Sequence, residues 1–166
     1  MKVRMKVRRL GAVAALTLLI AIVPPQPSGV ATGTDVTETQ ISAAAIGYFD
    51  SGTSFNGVPI QSATFGIGVI VYSDGSGLGN FEIKLTGTTP LNQEQNITVV
   101  GNVNAGTVNV DGSVTFSGNG TLDMGDGSLP LAVPFAVIVT ANGLQLTVGT
   151  SALPTLPVSD GSIFIG

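Results

Sequence analysis

Carboxylates are the most numerous reactive side chains in this sequence, and the tripeptide Asp-Gly-Ser occurs four times among them. The copies begin at Asp74, Asp111, Asp126 and Asp160. Carboxylates gathered in a tight loop bind calcium, which takes several oxygen ligands. An Asp-Gly pair also makes a tight turn, because Asp bonds its own backbone two residues on and Gly tolerates positive φ. The turn interpretation accounts for all four copies, so we expect turns.

A calcium site is the minor alternative for three aspartates. Asp123 and Asp126 lie three residues apart beside a glycine, and Asp111 is the third acid. Their spacing departs from the EF-hand pattern, in which the acids alternate and a Glu closes the loop. The Asp-Gly-Ser copies also follow no fixed period. We therefore predict no cofactor and keep a weak calcium site at these three residues as a minor hypothesis.

The choice of catalytic chemistry is narrow because several side chains are missing. The chain contains no His and no Cys, and all of its Arg residues lie within the first nine positions. These absences argue against a His-assisted nucleophile, the usual zinc ligand sets and an arginine clamp for phosphoryl groups. A carboxylate-dependent glycosidase using Glu82 and Asp50 remains as the weakest hypothesis. Glu82 and Lys84 share the polar face of a strand, which indicates a solvated pair, and we predict a protein that is not an enzyme.

The first 31 residues have the order of a secretory signal peptide. Basic residues up to position 9 precede the apolar run 10–23, and small residues follow up to Ala31. A helix of that run rises about 21 Å, less than the roughly 30 Å hydrocarbon core of a membrane. We therefore predict cleavage after Ala31, no stable membrane insertion, and a mature protein that is secreted, periplasmic or on the cell surface.

The predicted mature chain is strongly acidic. All ten Asp and Glu residues lie after residue 31, where Lys84 is the only base, so the side-chain balance is −9. Such a charge repels the phosphates of nucleic acid and of anionic membranes, which excludes both as expected partners. The identity of the partner stays open between a small apolar ligand and a cell-surface partner.

Apolar and polar residues alternate with a period of two through most of the chain after residue 42. The segments 62–72 and 78–87 show it most clearly, with an Asp-Gly turn between them. This alternation is typical of antiparallel strands that have one buried face. We predict a flexible lead-in at residues 32–42 and one all-β domain at residues 43–166. The domain is expected to be an antiparallel meander of eight or nine strands, an up-and-down β-barrel by preference and a β-sandwich as the alternative.

Two segments are expected to depart from regular strands. Pro130 and Pro134 indicate an edge or a kinked corner, because proline cannot donate to a strand ladder. The longer polar connection at residues 86–95 is the best candidate for a loop that carries function.

Seven apolar residues would line the interior of the predicted barrel. A small apolar ligand enters only where their side chains leave space, and otherwise they form a packed core, which we expect. The predicted function is an exported, non-catalytic binding or surface-interaction module. The alternative is a structural or matrix component that self-associates through strand edges. The seven residues are Phe65, Ile67, Val69, Phe81, Ile83, Phe116 and Phe135.

Overall fold

The computed structural model describes residues 35–166, which form ten β-strands and no helix. The predicted signal peptide, residues 1–31, lies outside the described residues. Within residues 35–166, no helix is long and apolar enough to cross a membrane. The strands are β1 (Glu38–Tyr48), β2 (Ser54–Phe55), β3 (Val58–Tyr72), β4 (Ser76–Thr88), β5 (Glu94–Val108), β6 (Val114–Asp123), β7 (Leu131–Thr140), β8 (Gly143–Val148), β9 (Ser151–Ala152) and β10 (Leu156–Ile165).

The strands form an antiparallel meander, as the alternating pattern predicts. From β3 to β8, each strand pairs with the next one along the chain. The count is ten instead of eight or nine because the two-residue strands β2 and β9 pair beside β3 and β8. Such short strands are invisible to a pattern that needs several alternations.

Strand β1 has neighbours on both sides. It pairs with β3 along its whole length, from Glu38 to Tyr48. Its other side pairs with β10, from Ile41 opposite Ile165 to Gly47 opposite Val158. Strand β10 meets β8 only at its start, where Leu156 and Pro157 lie opposite Leu144 and Gly143. Each of the eight longer strands therefore pairs with two others.

Strand β1 begins at Glu38, five residues before the expected start of the domain at residue 43. The prediction of a flexible lead-in is wrong for residues 38–42, which pair with β3. Their sequence shows weak alternation, but Ile41 is fully buried in the core. Pairing with a distant strand sets the conformation here, since β-propensity depends on context more than on the segment itself.

Aromatic rings fill the middle of the core. The Phe81 ring meets Phe116 edge-on, with centroids 6.0 Å apart. The same ring stacks on Phe135 at 5.4 Å. A Cβ atom at Gly101 would overlap the Phe135 ring, so glycine is required there by the packing. Among the described residues, no buried side-chain nitrogen or oxygen lacks a hydrogen-bond partner. The interior is therefore close-packed, and its polar side-chain atoms are all hydrogen-bonded.

The edge expected at Pro134 is present. Strand β8 pairs with β7 from Phe135 onward, and just beyond that pairing the Gly149 N–H donates to the Pro134 carbonyl at 2.8 Å. Among the described residues, 131–133 pair with β6 alone. Pro134 lies opposite Asn119 and has no N–H for the side that faces away from β6. Pro130 precedes β7 and lies outside the strand.

Candidate functional site

All seven residues expected to line the barrel interior lie in the buried hydrophobic cluster. None is more than 6% exposed. Their neighbours are one another, as the contacts of the Phe81 ring show. These residues occupy the position that the sequence predicts, and they pack there as core.

Three of the four Asp-Gly-Ser copies form the expected turns. The serine N–H donates to Oδ1 of Asp74, Asp111 and Asp126 at 2.9, 3.0 and 2.9 Å. The serine hydroxyl adds a second bond of 2.6 Å at Asp74 and at Asp111. The glycine between them has a φ of 88°, 81° and 87° in chain order. The turn prediction is confirmed for these copies.

The serine of each turn also lowers the pKa of its aspartate. Hydrogen bonds from the serine hydroxyl, and then from the serine N–H, hold the pKa of Asp74, Asp111 and Asp126 below the ordinary value for aspartate. Both bonds favour the ionised form. Each of these carboxylates therefore stabilises its own turn in the ionised form.

The fourth copy is not a turn. It lies inside β10, where Asp160, Gly161 and Ser162 face β1 beside a register shift. Gly161 has a φ of 93°, and a Cβ atom there would overlap the carbonyl oxygen of Ala44. The turn prediction is wrong for this copy because close pairing with β1 sets its backbone.

The calcium hypothesis is not supported by the geometry. Asp111 precedes β6 and Asp123 ends it, so the strand separates them by about 30 Å. Asp123 Oδ1 accepts the Gly125 N–H at 2.8 Å, and Asp126 Oδ1 accepts the Ser128 N–H at 2.9 Å. Within the part of the chain that the structure describes, no three His, Cys, Asp or Glu side chains cluster to hold a metal.

The polar connection expected to carry function is a tight turn. Strand β4 extends to Thr88 and β5 starts at Glu94, which leaves five connecting residues. The Thr89 N–H donates to the Gln93 carbonyl at 2.9 Å, and the Asn92 N–H donates to the Thr89 carbonyl at 2.9 Å. Pairing of the flanking polar residues shortens the loop, and none of it lines the groove described next.

A groove of about 660 Å³ runs across the outer face of the sheet, opposite the core. Strands β3, β4, β5 and β6 form most of it. Its central feature is a row of three asparagines, because Asn80 lies opposite Asn102 and Asn102 lies opposite Asn119. All three side chains are exposed. We call Asn80, Asn102 and Asn119 the amide row.

A second row lies beside the amide row. Glu82 lies opposite Val100, and Val100 lies opposite Thr121. Val100 is 46% exposed and is the one large apolar side chain on the groove's outer rim. Glu82 is the only charged residue in the groove lining. Asp50, its partner in the glycosidase hypothesis, lies in a separate turn, where Thr53 bonds its carbonyl.

Two glycines of β3 line one side of the groove. Gly68 lies opposite Asn80 and Gly66 opposite Glu82. A Cβ atom at either position would have no atom within 4 Å, and neither has positive φ. The missing side chains therefore create the hollow, and the fold itself does not demand glycine there.

The amide row has unused hydrogen-bonding capacity. Three other asparagines bond side chains inside the protein: Asn56, Asn96 and Asn109. The side chains of Asn80, Asn102 and Asn119 make no such bond to any residue between 35 and 166. Each amide offers two donor hydrogens and an acceptor oxygen, and all of them face the groove's solvent. Sequence analysis missed this site because no local pattern reveals that three separate strands align these positions.

Comparisons of the chain with family models, curated proteins and solved structures find no match. The ligand of the groove must therefore be inferred from the side chains that line it.

Proposed function

We propose that the meander closes into an eight-stranded up-and-down barrel with a packed interior. The pairing of β1 with both β3 and β10 supports closure, as does the contact of β10 with β8. The Val158 N–H extends that contact by donating to the Asn142 carbonyl at 2.9 Å. The alternative, a β-sandwich, is less well supported because its two sheets would leave more long strands with a single neighbour.

We propose that the protein is an exported, non-catalytic binding module whose ligand site is the outer groove. The buried residues leave the interior to the core, so a ligand must bind outside. The proposed ligand is a neutral, hydroxyl-rich polysaccharide. The observation that carries this proposal is the amide row, three unpartnered amides in direct register on adjacent strands.

The spacing of the amide row suits an extended glycan. Adjacent strands lie about 4.8 Å apart, which is close to the advance of an extended sugar chain per ring. A chain laid across the strands would therefore place successive rings over Asn80, Asn102 and Asn119. Each amide both donates and accepts, as sugar hydroxyls do, so neighbouring hydroxyls can bond one amide. The exposed methyl groups of Val100 offer an apolar contact for the C–H face of a ring.

The charge of the groove selects against anionic ligands. Its lining contains no basic residue, and Glu82 contributes a negative charge. Residues 35–166 together carry ten acids against Lys84. Uronic-acid or sulfated polysaccharides would be repelled, whereas neutral ones would not.

The same lining favours binding without cleavage. Glycoside hydrolysis ordinarily uses two carboxyl groups that flank the scissile bond. The groove has Glu82 alone, and Asp50 is not among its lining residues. We therefore propose that a bound glycan is held and not hydrolysed.

Affinity electrophoresis with soluble polysaccharides tests this function. We expect the protein to be retarded by at least one neutral glucan, mannan or xylan, and not by pectate or heparin. Asn102→Ala removes the central amide, and Asn104→Ala is the control, an exposed asparagine on the same strand that lies outside the groove at the register shift of β5. Loss of one to two hydrogen bonds of about 1 kcal/mol each predicts roughly a five- to thirty-fold weaker affinity for Asn102→Ala alone.

Two results would contradict the proposal. The first is no retardation by any of the neutral polysaccharides. The second is equal weakening by Asn102→Ala and Asn104→Ala, which would place binding away from the amide row.

A further inference from the structure

Within residues 35–166, the second half of β10 has a strand partner on one side only. Its pairing with β8 ends at Pro157, whereas its pairing with β1 continues to Ile165. Gln40 and Gly166 exchange two hydrogen bonds, which fixes the alternation along β10. The backbone groups of Gly161, Ile163 and Ile165 must then point away from β1. We call residues 161–165 the open edge.

The open edge is partly blunted at one end. Asp160 Oδ1 accepts the Gly161 N–H at 2.8 Å, which occupies one donor of the edge. The adjacent register shift bends the strand before Asp160. Bulges and charged residues are common devices against unwanted edge pairing. Both groups of Ile163 and Ile165, with the carbonyl of Gly161, remain for a partner strand.

An exposed aromatic ring and a hollow lie beside the open edge. Phe164 is 58% exposed on the outer face. A shallow, mainly apolar depression of about 360 Å³ lies nearby over Ala44, Ile46 and Gly161. The ring and the depression occupy the same face of the β1–β10 pair.

We infer that the open edge pairs antiparallel with the open edge of a second copy of this chain, with Ile163 opposite its own equivalent. In this register Gly161 lies opposite Ile165 of the second copy, so the free backbone groups of both edges meet. Phe164 lies opposite Ser162 of the second copy, next to the depression over its Gly161. The twofold axis repeats this contact, and each ring covers the other copy's depression.

Charge placement favours this register, and the reciprocal fit of Phe164 to the depression favours a second copy as the occupant. Asp160 is the only charged residue on β10, and it comes to lie opposite Gly166 at the end of the paired segment. The two carboxylates are then at opposite ends of the interface. A slip of the pairing toward residue 160 would bring them face to face, which is destabilising. This inference does not depend on glycan binding, because no residue of the open edge lines the groove.

Sedimentation of the purified protein over a concentration series tests this pairing. We expect a reversible monomer–dimer equilibrium. Because residues 35–166 carry an excess of negative charge, dimerisation is expected to strengthen from low salt to about 0.5 M NaCl.

Two aromatic positions make a matched pair of variants. Phe164→Glu places a charge in the interface and is expected to raise the dimer dissociation constant at least tenfold, which corresponds to about 1.4 kcal/mol. Tyr48→Glu makes the same change at a ring that is 60% exposed on β1, away from the open edge, and is expected to leave the constant unchanged. Asp160→Ala releases the Gly161 N–H and is expected to tighten the dimer.

The inference is overturned by a protein that stays monomeric at every concentration in high salt. Equal effects of Phe164→Glu and Tyr48→Glu would overturn it as well. A dimer that is insensitive to Phe164→Glu would show that association uses another surface.

Discussion

At the scale of single residues, hydrogen bonds from a serine lower the pKa of a nearby aspartate three times within residues 35–166. Each serine stands two positions after its aspartate and bonds Oδ1 from the backbone, with a hydroxyl bond as the main cause of the lowered pKa. The glycine between them supplies the positive φ that the turn requires. These aspartates are therefore explained by turn structure, without a metal.

The lowered pKa values predict a loss of stability in acid. A carboxyl with a lower pKa in the folded state stabilises the fold above its unfolded pKa, and that contribution disappears as pH falls through the folded pKa. We expect the melting temperature to change little between about pH 7 and pH 5 and to fall below about pH 4. Thermal unfolding followed by circular dichroism at a series of pH values measures this.

Serine variants separate the turns from other acid effects. Ser76→Ala and Ser113→Ala together remove two of the hydroxyl bonds and should make the acid-dependent fall shallower. Ser162→Ala is the control, because that serine donates to no carboxylate among the described residues. A double variant whose pH profile parallels that of the control would disprove the role of the hydroxyls.

The four Asp-Gly-Ser copies show how far a local sequence pattern predicts structure. The turn chemistry of Asp-Gly-Ser is local, so three copies were predictable from the tripeptide alone. The copy at Asp160 has the same three residues but forms part of a strand, because it pairs with β1. Local chemistry decides only where no distant strand competes.

At the scale of strands, glycines on opposite faces of the sheet have opposite roles. Gly68 is on the outer face with open space above it, whereas Gly101 is on the inner face beneath the Phe135 ring. A side chain at Gly101 must displace that ring, while a side chain at Gly68 only fills the groove. The two positions therefore give a direct comparison.

Gly68→Val is expected to keep or raise stability, by up to about 1 kcal/mol, because valine suits a strand better than glycine. Gly101→Ala is expected to destabilise by about 1–3 kcal/mol through overpacking. Denaturant unfolding measures both changes. Gly68→Val should also abolish retardation by neutral polysaccharide, since its side chain fills the groove. A destabilisation by Gly68→Val as large as that by Gly101→Ala would contradict this account of the outer face.

Periodicity along one strand predicts which side chains point inward, and it placed Phe81 and Phe135 correctly in the core. It carries no information on the alignment between strands. Asn80, Asn102 and Asn119 became neighbours through the register of β4, β5 and β6. Register follows from turns and bulges, such as the shift between Val103 and Ala105, which leave no clear mark in the sequence.

At the scale of the whole molecule, the contact between β8 and β10 is the shortest pairing between two of the eight longer strands. It has two residue pairs, and one of them contains Pro157, which has no N–H to donate. By contrast, β4 and β5 pair from Ser76 to Thr88. Opening of the sheet should therefore begin between β8 and β10.

Amide hydrogen exchange tests this weakness. We expect the Val158 amide, which bonds across the β8–β10 contact, to exchange at least about tenfold faster than the amides of Ile83 and Val99 in the middle of β4 and β5. Equal protection at the three positions would contradict the expected order of opening. The sequence alone could not predict the pairing of β1 with β10, because it joins segments at opposite ends of the domain.

That same pairing governs when the domain can form. A nascent chain has β1 and β3 long before β10 leaves the ribosome, so the sheet stays incomplete until β10 has been synthesised. Contacts between such distant segments also form slowly. Until β10 has been synthesised, one side of β1 therefore has no strand to pair with, and only the arrival of β10 completes the hydrogen bonding of the first strand.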